Sequence, residues 1–221
     1  MNPDQIARAN ADLGGKDPLE VIRWGLAQAN GRAIVSTNFR PYEAVLLHLV
    51  TRVDPNLRVL WVDHGYNKPA TYRHAEEVRR LLGLNIQAYV PRITSAHYDA
   101  VHGGAPEPTP ENEERIKAFS TAMKLEPFQR GMRELAPTVW FTALRRVQNP
   151  NRAGLGIVSD DSNFGSLKVS PVFDWSDDQM EAYLKANSLP NEWDYFDPAK
   201  ADEKRECGLH ASWGGKAVAK P

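Results

Sequence analysis

Short strand-like runs that alternate with helical stretches constrain the fold of this chain more than any other feature. The runs lie at residues 33–35, 57–62 and 85–90, and helical spacing appears between them at 42–50 and 69–82. Buried strands that alternate with helices are typical of a parallel sheet covered on both faces. The sequence therefore predicts an α/β fold with a doubly wound, mostly parallel sheet.

The rest of the chain extends this pattern. Further strands are predicted at 138–142 and 167–172, and further helices at 4–12, 18–29, 116–135 and 176–187. Pro171 predicts that its strand is an edge strand or ends there, and a helix break is expected near Pro127. Residues 94–114 and the chain from Asn191 onward are predicted to be irregular. We divide the chain into an α/β domain, residues 1–190, and a flexible C-terminal tail, residues 191–221.

Composition limits the classes of partner. The 221 residues carry a net charge of −1, with 25% charged and 42% hydrophobic residues, so no global basic field favours nucleic-acid binding. No run of 18 apolar residues predicts a transmembrane helix. The first residues show no basic stretch followed by an apolar core, so no signal peptide is predicted. We expect a cytoplasmic protein with no membrane or nucleic-acid partner.

Polar clusters follow three of the predicted strands. They are Ser36-Thr37-Asn38, Asp63-His64-Gly65 and Arg145-Arg146. Ligands of open α/β sheets bind at the carboxyl ends of the strands, and hydroxyls with backbone N–H groups at a helix start can hold an anion. Alternatively, Ser36 and Thr37 merely cap the helix. Neither a P-loop nor a dinucleotide-binding glycine fingerprint occurs in the sequence.

Basic residues concentrate after the fourth predicted strand. Arg145, Arg146 and Arg152 lie within eight positions, and Lys168 follows nearby. Guanidinium groups match phosphate oxygens in a bidentate manner, so this cluster suits a nucleotide phosphate. A solvated charged turn is the alternative.

Cys207 is the only cysteine, which excludes an internal disulfide, a cysteine-based zinc site and a cluster held by four thiolates. An inert buried thiol is the common role of a single cysteine. Here Lys204, Arg205 and His210 surround it, and cationic neighbours favour the nucleophilic thiolate. With no second cysteine, any resolving thiol must come from another molecule.

Several of these segments resemble one known family in their order along the chain. Glu206-Cys207-Gly208-Leu209-His210 resembles the catalytic signature of phosphoadenylyl-sulfate (PAPS) reductases. The other similar segments are residues 36–45, Asp63-His64-Gly65-Tyr66, Lys124-Leu125-Glu126-Pro127, Leu144-Arg145-Arg146-Val147-Gln148 with Arg152, and Lys168 with Pro171 and Asp174-Trp175.

The resemblance implies the PP-loop, or adenine nucleotide alpha hydrolase-like, fold and a cluster-free reductase that binds no cofactor. The catalytic residues would be Cys207, His210 and Arg205. The implied substrate-binding residues are Ser36, Thr37, Asn38, Asp63, Gly65, Arg145, Arg146, Gln148, Arg152 and Lys168. The sulfonucleotide would pass its sulfuryl group to Cys207 as an S-sulfocysteine, which thioredoxin or glutaredoxin would resolve. The family is commonly homodimeric.

The chain departs from the family pattern in its loops. Arg40-Pro41 stands where a glycine precedes the helix, and His64, Lys68 and Ala70 replace the usual Thr, Phe and Glu. The stretch before Cys207 is also short. Two alternatives therefore remain open: a PP-loop adenylating or sulfur-transfer enzyme that uses ATP, and a nucleotide-binding relative without catalytic activity.

Overall fold

A computed structural model of the protein describes residues 1–107, 109–148 and 155–198. Its strands are β1 (Ala33–Thr37), β2 (Arg58–Val62), β3 (Asn85–Tyr89), β4 (Val139–Phe141), β5 (Val158–Asp161) and β6 (Ser166–Val169). Its α-helices are α1 (Pro3–Leu13), α2 (Pro18–Gln28), α3 (Glu43–Val53), α4 (Pro69–Leu82), α5 (Ser95–His102), α6 (Glu113–Ser120), α7 (Glu126–Leu135) and α8 (Asp177–Ala186). A π-helical turn, Thr121–Leu125, joins α6 to α7.

The six strands form one sheet in the order β3-β2-β1-β4-β6-β5. All neighbouring pairs are parallel except β5 with β6. In the centre, Ile34 of β1 pairs with Arg58 of β2 on one side and with Trp140 of β4 on the other. The predicted doubly wound, mostly parallel sheet is confirmed.

Each face of the sheet has its own hydrophobic core, built from alternate side chains of the strands. Ile34, Leu60 and Trp140 pack with Phe128 and Met132 of α7 on one face. On the other face, the alternate strand residues join α2, α3, α4 and α8 in a larger cluster, whose strand members include Ala33, Val35, Val59, Val139 and Phe141. Because side chains alternate between the faces of a strand, strands that are apolar throughout can feed both cores.

Gly25 allows α2 to approach the sheet closely. A Cβ atom at this position would lie 2.7 Å from Cε1 of Phe141, a fully buried ring of β4. Any larger side chain would therefore push the helix away from the strand.

The helix starts follow their sequence signals. The side chain of Asp17 accepts a hydrogen bond from the backbone of Leu19 and caps α2, which begins at Pro18. Ser176 caps α8 in a capping box with Gln179.

Four details differ from the sequence expectation. Helix α5 lies inside the segment predicted to be irregular; Thr94 caps it and Gly103 ends it, but only Tyr98 is buried, so its apolar pattern is weak. Strand β5, an antiparallel edge strand, lies in a mostly polar stretch where no strand was predicted. Strand β6 spans Ser166–Val169 rather than residues 167–172 and is not an edge strand, but it ends before Pro171, as the second alternative predicted. The expected helix break is a π-helical turn that remains helical into α7.

Residues 191–198 have no regular secondary structure, as predicted, and they contact the α/β domain. The proposed boundary at residue 190 and the flexibility of the tail stay predictions. No helix within the described part of the chain is long and apolar enough to span a bilayer.

Candidate active site

The order of the strands creates a crevice at the carboxyl ends of β1 and β4. From β1 the chain moves to β2 on one side, whereas β4 lies on the other side, so the strand order reverses between them. Open α/β sheets bind ligands at such a switch point. The loop after β1 begins at Asn38, and the chain after β4 leads to Arg145 and Arg146, so two predicted clusters border this crevice.

The loop after β1 is organised around the buried carboxylate of Glu43, the first residue of α3. Its Oε2 atom accepts hydrogen bonds from the Thr37 hydroxyl (2.8 Å) and the Asn38 backbone N–H (2.7 Å). Its Oε1 atom accepts one from Nε of Arg40 (2.9 Å). A carboxylate of the chain itself therefore occupies the donors of this loop. Glu43 was not among the residues predicted from the sequence.

Two non-glycine residues of this loop adopt left-handed backbone conformations. Phe39 has a φ of 54° and Tyr42 a φ of 71°. Such angles are uncommon outside glycine and signal local strain at sites where surrounding contacts hold the backbone. Here the Phe39 N–H donates to the Thr37 hydroxyl (3.0 Å), and the Tyr42 N–H donates to Oδ1 of Asn191 (2.9 Å).

Ser36 and Lys168 lie together on the sheet face that is opposite Thr37. The Ser36 hydroxyl accepts a hydrogen bond from Nε1 of Trp140 (2.8 Å), and the ammonium group of Lys168 lies 5.1 Å from the centre of that residue's ring system. Lys168 also forms an ion pair with Asp161 of β5 (3.3 Å). Trp140 thus connects two residues that the sequence assigned to the site independently.

Asp63 shapes the loop after β2. Its Oδ1 atom accepts hydrogen bonds from the Gly65 N–H (3.0 Å), the Tyr72 hydroxyl (2.6 Å) and the Asn67 amide (3.3 Å). Gly65 has a φ of 76°, and a Cβ atom there would lie 3.0 Å from Oγ of Ser95. This position therefore requires glycine, and Asp63 acts on the loop backbone.

His64, which follows Asp63 in the loop after β2, is buried and neutral. Burial, followed by the charge of Lys124, lowers its pKa to about 4. Its Nδ1 atom accepts a hydrogen bond from the Tyr66 N–H (3.1 Å), which places the ring proton on Nε2. His64 is therefore a hydrogen-bond donor at neutral pH rather than a cation.

The two arginines after β4 have different environments. The Arg145 guanidinium is buried, pairs with Asp177 (2.7 Å) and donates to the Trp175 carbonyl (3.2 Å). Arg146 is half-exposed and pairs with Asp174 (2.9 Å). Gln148 accepts a hydrogen bond from the Arg145 backbone (3.1 Å). Arg145 thus holds the start of α8, whereas Arg146 is accessible to a ligand.

The structure adds two lysines to this region. Lys68, after the second loop, pairs with Asp194, and Lys124, in the π-helical turn, pairs with Asp197. In the sequence, Lys68 was a departure from the PAPS reductase pattern, and Lys124 lay in a segment that resembles that family. Neither lysine was assigned to the site. Their partners lie more than 70 positions away, at separations of 126 and 73 residues, so no local pattern could reveal them.

Arg152, Arg205, Cys207 and His210 lie outside the described residues, and their assigned roles stay predictions. Across residues 1–107, 109–148 and 155–198, no group of three or more His, Cys, Asp or Glu side chains is arranged to hold a metal ion.

Comparison with known proteins identifies related sequences along almost the whole chain. Residues 32–193 match the family model of the phosphoadenosine phosphosulfate reductase domain. The chain is 32% identical to the phosphoadenosine 5′-phosphosulfate reductase of Photobacterium profundum, covering 93% of this chain and 88% of that protein. It is 33% identical to the enzyme of the same name from Xanthomonas campestris, covering 94% and 93%.

Solved structures with the same fold include more than one kind of enzyme. The phosphate complex of the PAPS reductase from Candida auris aligns with a TM-score of 0.75 and 22% identity, covering 86% of this chain and 89% of that chain. The U34-tRNA thiolase NcsA from Methanococcus maripaludis aligns with a TM-score of 0.54 and 11% identity, covering 82% and 65%. These two likenesses show a shared PP-loop fold.

Proposed function

The chain belongs to the phosphoadenosine phosphosulfate reductase family, and from this premise we propose that it reduces 3′-phosphoadenylyl sulfate to sulfite and adenosine 3′,5′-bisphosphate. The observation that carries the proposal is the family match across residues 32–193, extended by the Cys207 signature beyond it. Sequence identity of 30% to 33% to reductases over at least 93% of the chain supports the same assignment.

In the proposed first step, the Cys207 thiolate attacks the sulfur of the sulfuryl group. A sulfur–sulfur bond forms, and the bond from sulfur to the bridging phosphate oxygen breaks. The leaving phosphate keeps the electron pair of that bond, so adenosine 3′,5′-bisphosphate departs and an S-sulfocysteine remains. Arg205 and His210 favour this step because positive charge near a thiol increases the thiolate fraction.

In the second step, a dithiol reductant such as thioredoxin or glutaredoxin attacks Sγ of the S-sulfocysteine. Sulfite leaves with the electron pair of the sulfur–sulfur bond, and a mixed disulfide forms. The second thiol of the reductant then releases Cys207 as a thiol and closes the reductant's own disulfide. The two electrons that reduce sulfate to sulfite therefore come from the reductant, and no bound cofactor takes part.

The environments of the basic residues divide the binding roles. Arg146 is half-exposed at the crevice, so we assign it to the nucleotide phosphates together with Arg152. The buried Arg145 holds this turn in place through an ion pair with Asp177 and a cation–π contact with the ring of Tyr42. Ser36, Lys168 and the backbone around Gly65 complete the proposed substrate contacts. Assembly as a homodimer and a cytoplasmic location stay predictions from the family.

The fold alone does not separate this function from the sulfur-transfer alternative, because a tRNA thiolase shares it. The first loop does not separate them either. Glu43 engages Thr37, Asn38 and Arg40 there, and its carboxylate disfavours the phosphosulfate of PAPS as much as the pyrophosphate of ATP. The Cys207 signature and the family match over residues 32–193 favour the reductase.

The test is sulfite release from PAPS by the purified protein with thioredoxin, thioredoxin reductase and NADPH. We expect stoichiometric sulfite and adenosine 3′,5′-bisphosphate, and no activity in Cys207→Ser. Adenylyl sulfate, which lacks the 3′-phosphate, is the matched control substrate and should react poorly. Sulfite release by Cys207→Ser, or pyrophosphate release from ATP by the wild type, would contradict the proposal.

A further inference from the structure

The segment after α8 is docked across the carboxyl edge of the sheet. We call residues 191–198 the docked segment. Its first residue, Asn191, accepts a hydrogen bond from the backbone of Tyr42 in the first loop (2.9 Å). Trp193 packs edge-on against the ring of Tyr42, with 5.3 Å between the ring centres. The segment therefore begins on top of the loop that follows β1.

Two ion pairs continue this contact toward the second loop. Asp194 pairs with Lys68, and the side chains are 57% and 43% exposed. Asp197 pairs with Lys124, and both side chains are only 3% exposed. The first pair is open to solvent and contributes little. The second is dehydrated, so loss of Lys124 or Asp197 would leave the other charge buried without this ion pair.

The buried pair lies beside the candidate site. Lys124 belongs to the π-helical turn Thr121–Leu125, a distortion of helices that occurs frequently at functional sites. Beyond the effect of burial, the charge of Lys124 lowers the pKa of His64 and the charge of Asp197 raises it. The pair thus connects the docked segment to the second loop.

We propose that Asp197 is a positioning residue, whose ion pair with Lys124 anchors the docked segment and fixes the point from which the chain leads to Cys207. This inference rests on the proposed function. Cys207 follows Asp197 by ten residues, whereas it follows the end of α8, Ala186, by 21. The entropy lost when a connection closes grows with its number of residues, so halving that number raises the effective concentration of its far end by about threefold.

The experiment compares Asp197→Asn with the matched control Asp194→Asn, which removes the exposed carboxylate from the same segment. Hydrogen–deuterium exchange of residues 191–198 reports anchoring without any reaction. Single-turnover formation of the Cys207 adduct from PAPS, followed by mass spectrometry, reports positioning. The final adduct stoichiometry identifies a loss of folded protein, which would lower the stoichiometry rather than the rate.

We expect faster exchange of the docked segment in Asp197→Asn, unchanged exchange in β1 and β2, and adduct formation slowed by about threefold to tenfold at one adduct per chain. KM for PAPS should not rise, and Asp197→Glu should recover part of the rate. Asp194→Asn should stay within about twofold of the wild type. Retained protection and an unchanged rate in Asp197→Asn would overturn the proposal.

Two further outcomes are decisive. If Asp197→Asn does not fold, the double variant Lys124→Met/Asp197→Ala replaces it, because it removes both buried charges together. Faster hydrogen–deuterium exchange of residues 191–198 in the double variant supports the anchor, and retained protection overturns it. If the wild type forms no adduct, the proposed function fails. In that case exchange in Asp197→Asn alone decides the anchor in the same two directions.

Discussion

Replacement of Glu43 tests the interpretation of the first loop most sharply. Glu43→Ala removes the acceptor of the buried Thr37 hydroxyl and of the Asn38 N–H. A buried donor without a partner costs about 1–3 kcal/mol, so two such donors predict a destabilisation of about 3 kcal/mol. The contact with Arg40 adds little, because that side chain is partly exposed and can be hydrated.

Glu43→Gln separates the hydrogen bonds from the charge. The amide oxygen can face Thr37 and Asn38, so both donors keep an acceptor, and only the ion pair with Arg40 is lost. We therefore expect a destabilisation of about 1 kcal/mol. Glu76→Ala is the control, because Glu76 is exposed and forms an ion pair with Arg79 of its own helix. It should change stability by less than about 0.5 kcal/mol.

The assay is urea unfolding at neutral pH, analysed by linear extrapolation with the slope compared between variants. The interpretation is supported if the slopes are unchanged and the wild type and Glu76→Ala are the most stable, Glu43→Gln is less stable and Glu43→Ala is the least stable. A Glu43→Ala variant within about 0.5 kcal/mol of the wild type would refute it. Equal losses in the two Glu43 variants would show that charge, rather than the two buried donors, dominates.

Three other predictions follow from the site and the core. The pKa of His64 is lowered to about 4 from an ordinary value of 6.5, so between these two pH values the unfolded state binds more protons than the folded state. The free energy of unfolding should therefore fall by about 3 kcal/mol as the pH falls from 6.5 to 4. His64→Asn should remove that part of the pH dependence of unfolding. Gly25→Ala should destabilise the fold by about 1–3 kcal/mol in urea unfolding, despite the better helix propensity of alanine, because the added methyl meets Phe141. Arg145→Gln should lower the melting temperature, whereas Arg146→Gln should leave it unchanged and raise KM for PAPS; the opposite pattern would exchange the roles assigned to the two arginines.

Much of the sheet could be predicted from the sequence, because its central strands are buried on both faces. Residues such as Ile34, Val59 and Phe141 give continuous apolar runs that need no knowledge of the rest of the chain. Strand β5 could not be predicted, because most of its residues are polar and its buried Asp161 depends on an ion pair with Lys168 of the neighbouring strand. Helix α5 was missed because Tyr98 is its only buried residue, which leaves no apolar periodicity.

The candidate site was predictable only where its chemistry is local. The clusters at the ends of β1, β2 and β4 were visible because each stands at the end of an apolar strand or within a few residues of it. Glu43 could not be predicted, because a glutamate at the start of a helix is common. Its role depends on the left-handed backbone conformations of Phe39 and Tyr42, which the sequence does not indicate. The partner of Lys124 was hidden because the pair with Asp197 forms only after the chain has returned across the sheet.

The central claim is that Cys207 accepts the sulfuryl group of a sulfonucleotide, and mass spectrometry of the intact protein after exposure to PAPS without any reductant tests it most directly. We predict a gain of one SO₃ unit, located on Cys207 by peptide sequencing, removed by thioredoxin and absent in Cys207→Ser. An unmodified Cys207 in folded protein that binds adenosine 3′,5′-bisphosphate would contradict the claim and favour a nucleotide-binding relative without reductase activity.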